Sequence, residues 1–208
     1  MSEVKSKQDE TPGNIDATFW EERWRNKQTG WDLQTLSPPL KAYFDKMAKK
    51  DAAILIPGCG SAYEAEYLLQ QGFKNITLID IAPTLVQQLL ERFAHYAGKE
   101  LTIICGDFFK HTGKYDFIIE QTFFCALERS FRKAYVSKMQ TLLKEHGRLA
   151  GLLFDREFPG GPPFGGCREE YLSLFSERFD VLSIEPCTIS AKPRLGSEVF
   201  FEVKNKNQ

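Results

Sequence analysis

The sequence predicts a doubly wound α/β protein with a mostly parallel sheet, and three observations predict it. Aliphatic and β-branched runs alternate with helical stretches along most of the chain. The first run, AILIPGCG from Ala53 to Gly60, breaks at a glycine-rich turn and restarts as the helical SAYEAEYLLQQG. Later runs end in acids, with Asp80 closing NITLID and Asp107 following LTIICG. A strand that stops at glycines and resumes as a helix is the first βα unit of a nucleotide-binding sheet. Gly58 and Gly60 let the chain turn sharply and approach a ligand, because neither has a Cβ to forbid positive φ.

Taken in order, residues 1–14 are polar and are expected to be disordered. ATFWEERWRNK then places Phe19, Trp20, Arg23 and Trp24 at helical spacing, and a turn at Thr29 and Gly30 leads to Trp31. Pro38 and Pro39 open a second helix, LKAYFDKMAKK, with Leu40, Tyr43, Phe44 and Met47 on one face. Beyond the first βα unit the pattern predicts a helix from about Pro83 to Ala97 and strands LTIIC and YDFIIE. A helix through SFRKAYVSKMQTLLKE closed by Gly147 and a strand RLAGLLF follow. Such a βαβ repeat implies right-handed crossovers. REEYLSLFSERF reads as a last helix, and DVLSIEPCTI and SEVFFEVKN as two strands joined by the basic loop AKPRLG. The expected organisation is a single domain over residues 15–208, with a helical cap at 15–50 and the sheet-based core at 51–208.

Three residues after Gly60 the dinucleotide fingerprint has a third glycine, where this chain has Tyr63, so a pyrophosphate is poorly accommodated. Asp80, one βα unit downstream, can accept both hydroxyls of a ribose. Asp107 can accept from an adenine amine, with Phe108 beside it to stack on the ring. Two acids and no basic residue in these turns suit an uncharged ribose and adenine joined to a cationic sulfonium, and suit a phosphate badly.

At 208 residues and 42% hydrophobic content the chain is long enough for one sizeable α/β core. A net charge of -1 gives no basic excess for nucleic acid or an acidic membrane surface. No run is long and apolar enough to span a bilayer, and the N-terminus lacks the apolar core of a signal peptide, so a cytoplasmic protein is expected. Five cysteines without a CxxC pair argue for reduced thiols over a disulfide framework or a zinc site. The three histidines lack metal-ligand spacing and read as surface or capping residues. A monomer is expected, with small molecules as its partners.

The ordered set of a strand ending in GCG, a strand ending in Asp, a Gly-Asp pair and a fourth strand ending in Glu120 resembles the class I S-adenosylmethionine-dependent methyltransferases. FWEERWRNKQTGWDLQTLSPPL, LIPGCGSAYEAEYL, GDFF, FFCALERSFRKAYVSKMQTLLKEHGRL and PGGPPFGG are similar to the thiopurine S-methyltransferase family in its broad sense, which includes plant halide and thiol methyltransferases. The resemblance implies a Rossmann-like, seven-stranded sheet with an antiparallel end hairpin and an N-terminal helical lid. It also implies S-adenosylmethionine held by Trp24, Trp31, Gly58, Cys59, Gly60, Asp80, Ile81, Asp107, Phe108 and Glu120. For Trp20 and Trp24 a lid role and simple core packing both stand open.

The acceptor pocket is expected to use Trp20, Gln121, Thr122, Phe124 and Phe164. The thiopurine branch has an Asp-Arg-Gly type segment after the fourth strand, and this chain has Gln121 where that arginine would stand. EQTFFCAL therefore sides with the halide and thiol branch, although Glu120 replaces its usual Asp and Gln121 a common tyrosine. Phe164, in PGGPPFGG, stands where plant members often have tyrosine. Glu120 is expected to face the positive methionine end of the cofactor. The implied reaction is an in-line displacement in which a thiol, hydrosulfide, thiocyanate or halide takes the sulfonium methyl. A thiopurine or other aromatic thiol is the alternative acceptor. A nicotinamide-dependent oxidoreductase and a non-catalytic cofactor-binding protein are the competing classes.

Overall fold

The computed structural model describes residues 15–206. The expected disorder of residues 1–14 lies outside that range. The chain forms α1 (Ala17–Arg25), α2 (Pro38–Phe44), β1 (Ile54–Pro57), α3 (Tyr63–Gln70), β2 (Ile76–Asp80), α4 (Pro83–Arg92) and β3 (Leu101–Cys105). It continues with β4 (Tyr115–Gln121), α5 (Arg132–Leu142), β5 (Leu143–Phe154), α6 (Arg168–Ser176), β6 (Phe179–Pro186) and β7 (Glu198–Asn205).

The seven strands make one sheet in the order β3-β2-β1-β4-β5-β7-β6. The first five are parallel, β7 runs antiparallel to β5, and β6 antiparallel to β7. Chain order reverses between β1 and β4, and the crevice beyond their carboxyl ends is where such sheets take ligands.

Every residue of β1 and β2 is buried. A parallel strand covered on both faces needs apolar side chains in both directions, which is why ILIP and ITLID read as continuous runs. Along β1, Ile54 and Ile56 join the core layer under α2, α3 and α4, while Leu55 joins the layer under α5 and α6. The period-2 alternation of a strand thus feeds two cores.

Local chemistry sets the helix starts. Asp16 caps α1 by accepting from the Phe19 backbone N–H at 3.1 Å. Proline at the first turn opens α2 and α4, where its missing N–H is not needed. No side chain of its own segment caps α4. The carboxylate of Glu21 on α1 does so, accepting from the Thr84 backbone N–H at 2.9 Å and the Thr84 hydroxyl at 2.5 Å. These bonds dock the N-terminal helix at the rim of the crevice.

Several expected boundaries differ; the helix expected over LKAYFDKMAKK, for one, ends at Phe44. The helix from Pro83 ends at Arg92, and residues 93–96 form turns instead, with Ala97 in an isolated bridge to Leu101. The helix predicted to run through Glu145 stops at Leu142, because Leu143 turns extended to pair with Tyr115 at the start of β4. Helical propensity in LLKE yields to a ladder partner and to complete burial of Leu143.

Candidate functional site

A cavity of about 730 Å³ opens at the carboxyl ends of β1 to β5. Gly58, Gly60, Asp80, Ile81, Asp107, Phe108 and Thr122 line it from the sheet side. Trp20, Arg23, Trp24 and Trp31 cover it from the N-terminal segment. The three tryptophans form one cluster, with the Trp31 ring 5.4 Å from Trp20 and 6.0 Å from Trp24, both edge-on. Further round, Phe154, Arg156, Phe158, Pro162, Pro163 and Arg194 complete the wall.

Asp80 is 9% exposed, and burial raises its pKa. Its carboxylate accepts from the Gly60 backbone N–H at 3.3 Å and the Ala82 N–H at 3.1 Å, so it also ties β2 to the glycine turn. Asp107 accepts from the Phe109 N–H at 2.8 Å, closing a tight turn, and its second oxygen lies 3.7 Å from Lys110. The two glycines differ in what they need. A Cβ on Gly58, where φ is +54°, would lie 2.2 Å from Cδ2 of Phe123; at Gly60, where φ is +49°, the nearest atom is 3.9 Å away on Trp24. The bare backbone at Gly58 thus accommodates the Phe123 ring, whereas at Gly60 it leaves open space beside Asp80.

Five expected site residues lie outside the wall of this cavity. Phe124 is 1% exposed and packs in the second core layer against Tyr135 and Tyr171, with ring centroids at 5.0 and 5.7 Å. Its neighbour Phe123 lines the cavity instead. The reason is Thr122, whose φ of +63° reverses the chain and swaps which aromatic ring faces inward. Phe164 donates its backbone N–H to the Cys125 carbonyl at 2.6 Å, and its ring packs over Gly161, so Pro162 and Pro163 form the wall. Glu120 is fully buried beneath the loop, where one oxygen accepts from the Phe124 N–H at 2.6 Å and the other has no partner. Desolvation raises its pKa to about 8, against the opposing pull of the Phe124 and Phe123 N–H groups and of Arg194, so at neutral pH it is mostly an uncharged acid. Cys59 and Gln121 line a smaller recess of about 60 Å³ that shares Gly58, Gly60, Trp31, Leu33 and Thr122 with the main cavity.

Sequence reading missed Arg194. It is 7% exposed, donates to the Trp31 carbonyl at 2.7 Å and to Glu198 at 3.3 Å, and lines the cavity. In AKPRLG it looks like any surface cation of a loop, and nothing in the local pattern marks its burial. With Arg156 it places positive charge after β5 and before β7. The acids Asp80 and Asp107 follow β2 and β3, on the far side of β1 and β4 in the sheet. Asp80 and Asp107 thus lie towards one end of the cavity and Arg156 and Arg194 towards the other, while Asp16, Arg23 and Glu128 also line it and Arg194 is paired with Glu198.

The donor set fits S-adenosylmethionine. A nine-tenths-buried carboxylate beside an open glycine backbone offers acceptors for ribose hydroxyls, and Ile79, Ile81 and Phe108 offer apolar cover for a purine. Gly58 and Gly60 use their positive φ to turn the chain, and no Lys or Arg projects from this turn as a phosphate would require.

The fold is that of the class I methyltransferases. A solved structure of 1,6-didemethyltoxoflavin-N1-methyltransferase from Burkholderia thailandensis aligns over 99% of both chains with a TM-score of 0.74 at 14% identity. The chain belongs to the thiopurine S-methyltransferase family, which it matches over residues 15–206. It is 30% identical over 184 residues to a probable thiol methyltransferase 2 of Arabidopsis thaliana, covering 86% of this chain and 81% of that one. It is also 30% identical over 203 residues to a thiopurine S-methyltransferase of Acinetobacter baylyi, covering 86% and 92%. It is thus an S-adenosylmethionine-dependent methyltransferase. Among the described residues no helix is long and apolar enough to cross a membrane, and no group of three metal-ligating side chains occurs.

Proposed function

We propose that this enzyme methylates a small soft nucleophile, a thiol, hydrosulfide, thiocyanate or halide, that reaches the basic end of the cavity as an anion. The observation that carries the reading is the polarity of one cavity, with Asp80 and Asp107 at one end and Arg156 and Arg194 at the other. No histidine lines it among the described residues, and a thiolate, hydrosulfide, thiocyanate or halide needs no proton removed at the reaction step.

In this reading Asp80 holds the ribose, Asp107 and Phe108 the adenine, and Trp24 and Trp31 close over both. S-adenosylmethionine, when bound, supplies an electrophilic methyl on a sulfonium. The chain contributes alignment and the exclusion of water. Phe123, Phe154 and Trp20 form aromatic walls that partly desolvate an anion, and Arg194 holds the tryptophan segment through the Trp31 carbonyl while lending positive potential. Holding an acceptor in line can supply as much as ~7–11 kcal/mol of the barrier. The segment 15–50 acts as a cap on a core of 51–208 within one domain. In the same reading the enzyme is a cytoplasmic monomer, and its net charge of -1 gives no basic excess for nucleic acid.

An endpoint assay for S-adenosylhomocysteine with iodide, thiocyanate, hydrosulfide and a thiopurine tests the acceptor. Turnover with the small anions is expected. Turnover with the thiopurine alone would overturn the small-anion reading in favour of an aromatic thiol, which the relationship to the Acinetobacter enzyme supports as the second reading.

Asp80→Ala is expected to weaken S-adenosylhomocysteine binding by roughly ten- to a hundredfold, the scale of lost charged hydrogen bonds at ~1.5–3 kcal/mol. Asp80→Asn, which keeps an acceptor for the Gly60 N–H, is expected to lose less. Calorimetric titration of both variants checks this, and unchanged affinity in Asp80→Ala would refute the ribose assignment.

A further inference from the structure

The basic connection between β6 and β7 delivers a buried ion pair to the cavity wall. Lys192–Arg194 forms a short 3-10 turn, and the Arg194 carbonyl then accepts from the Ser197 backbone N–H at 3.1 Å and the Ser197 hydroxyl at 2.8 Å. Glu198 opens β7 directly afterwards, so the folded-back chain sets its carboxyl 3.3 Å from the Arg194 guanidinium. Both residues are nearly out of water, at 7% exposure for Arg194 and 4% for Glu198. The guanidinium lies over the Phe154 ring, 5.5 Å from its centroid. It also faces two further buried carboxyls, pulling the pKa of Glu64 and of Glu120 down against the burial that raises them. Among the described residues its hydrogen bonds go to Glu198 and to the Trp31 carbonyl, the latter at 2.7 Å.

A guanidinium on a long side chain keeps one orientation only when its donors are held. Trp31 belongs to the segment that covers the cavity, where its ring meets those of Trp20 and Trp24 edge-on. That segment is tied to α4 through Glu21 on Thr84 and to the glycine turn through Asp32 on Ser61. Arg194 ties it from the other half of the sheet. Without the Glu198 carboxyl, a buried cation left with one neutral partner would turn towards water or the neighbouring acids and release the Trp31 carbonyl. We infer that Glu198 is a positioning residue that holds Arg194 against the Trp31 carbonyl and so fixes the tryptophan segment over the cavity. Glu198 is not part of the cavity wall, so its effect on ligand binding runs through Arg194. The inference rests on the reading of residues 15–50 as a cap and is independent of the class of acceptor.

All three tryptophans of the chain, Trp20, Trp24 and Trp31, lie in this segment, so tryptophan emission reads its packing directly. Glu198→Ala is expected to shift the emission of the ligand-free protein to longer wavelength and to increase its quenching by acrylamide. It is also expected to weaken S-adenosylhomocysteine binding by roughly tenfold or more, the scale of one lost charge-assisted hydrogen bond. Glu198→Gln keeps an oxygen that accepts from Arg194 and is expected to recover most of both. Because Glu198 acts through Arg194, Glu198→Ala is expected to add nothing in an Arg194→Ala background. Additive losses across that cycle, or a lower melting temperature with unchanged emission and affinity, would mean that Glu198 only supports the start of β7 and would sink the inference. Arg194→Met combined with Glu198→Leu removes the pair without leaving a buried charge, a replacement that folded proteins often tolerate. Wild-type emission and affinity in that double variant would also overturn the inference, while leaving the cap reading intact. Tryptophan emission of wild type that does not respond to saturating S-adenosylhomocysteine would overturn the cap reading and this inference together, and needs no variant to fold.

Discussion

Gly58→Val should lose more than about tenfold in S-adenosylhomocysteine affinity and roughly 2–5 kcal/mol of stability. Two costs combine. At φ +54° any side chain is placed in the left-handed region, and a Cβ there would stand 2.2 Å from Cδ2 and 2.8 Å from Cγ of Phe123. That ring cannot retreat freely, because it packs edge-on against Phe108 at 5.1 Å and beside Tyr135 at 6.1 Å. Relief requires Phe123 to swing into the cavity or β1 to part from the loop after β4, and either damages the ligand site. Gly98→Ala is the control: φ is +76°, but a Cβ would meet nothing within 4 Å. It should cost only the backbone term, about 1–2 kcal/mol, and leave affinity unchanged. Thermal unfolding and titration of the two variants separate the contributions. Equal behaviour would remove the role assigned to the Gly58–Phe123 contact.

Glu120→Gln should make the protein more stable than wild type at pH 9 and leave it within about 1 kcal/mol of wild type at pH 5. The folded protein holds a proton on Glu120 up to about pH 8, against 4.5 for an unperturbed carboxyl, because desolvation outweighs the hydrogen bonds from the Phe124 and Phe123 backbone N–H groups. A group whose folded pKa is raised contributes stability that is complete below its unfolded value and is lost as pH climbs through its folded value. The loss therefore falls between about pH 4.5 and 8, with an upper limit of ~1.4 kcal/mol per pH unit. Glu64, raised to about 7, and Asp80, also raised, slope the same way. The difference between wild type and Glu120→Gln isolates the one carboxyl. Urea midpoints at pH 5, 7 and 9 check it, and parallel curves would mean that Glu120 is already ionised in the fold.

These two experiments sit where sequence and structure part company. The strands, the glycine turn and the acids at strand ends were legible because each depends on neighbours in the chain. Buried parallel strands demand unbroken apolar runs, a sharp βα turn demands glycine, and a polar residue at a strand's end leaves the sheet at the crevice. ILIP, GCG, Asp80 and Asp107 declare themselves in this way, and the tryptophan spacing places Trp20 and Trp24 on one face of α1. The family followed from the same motifs.

The residues that line the cavity beyond β4 were not legible, because their positions depend on contacts across the fold. Thr122 adopts a left-handed conformation and breaks the alternation beyond β4, sending Phe124 into the core and Phe123 to the cavity. Glu120 lies next to the last residue of β4, near where a cofactor-facing acid would stand, yet the loop folds back over it and donates the Phe124 N–H. Phe164 turns onto Gly161 and leaves the wall to two prolines. Arg194 becomes a site residue only because the connection between β6 and β7 brings it to the Trp31 carbonyl, 163 residues away in the chain. Local patterns specify which elements form and which ends carry ligand-binding groups. Which side chain finally faces the ligand is decided by long-range packing, which no short window of sequence contains.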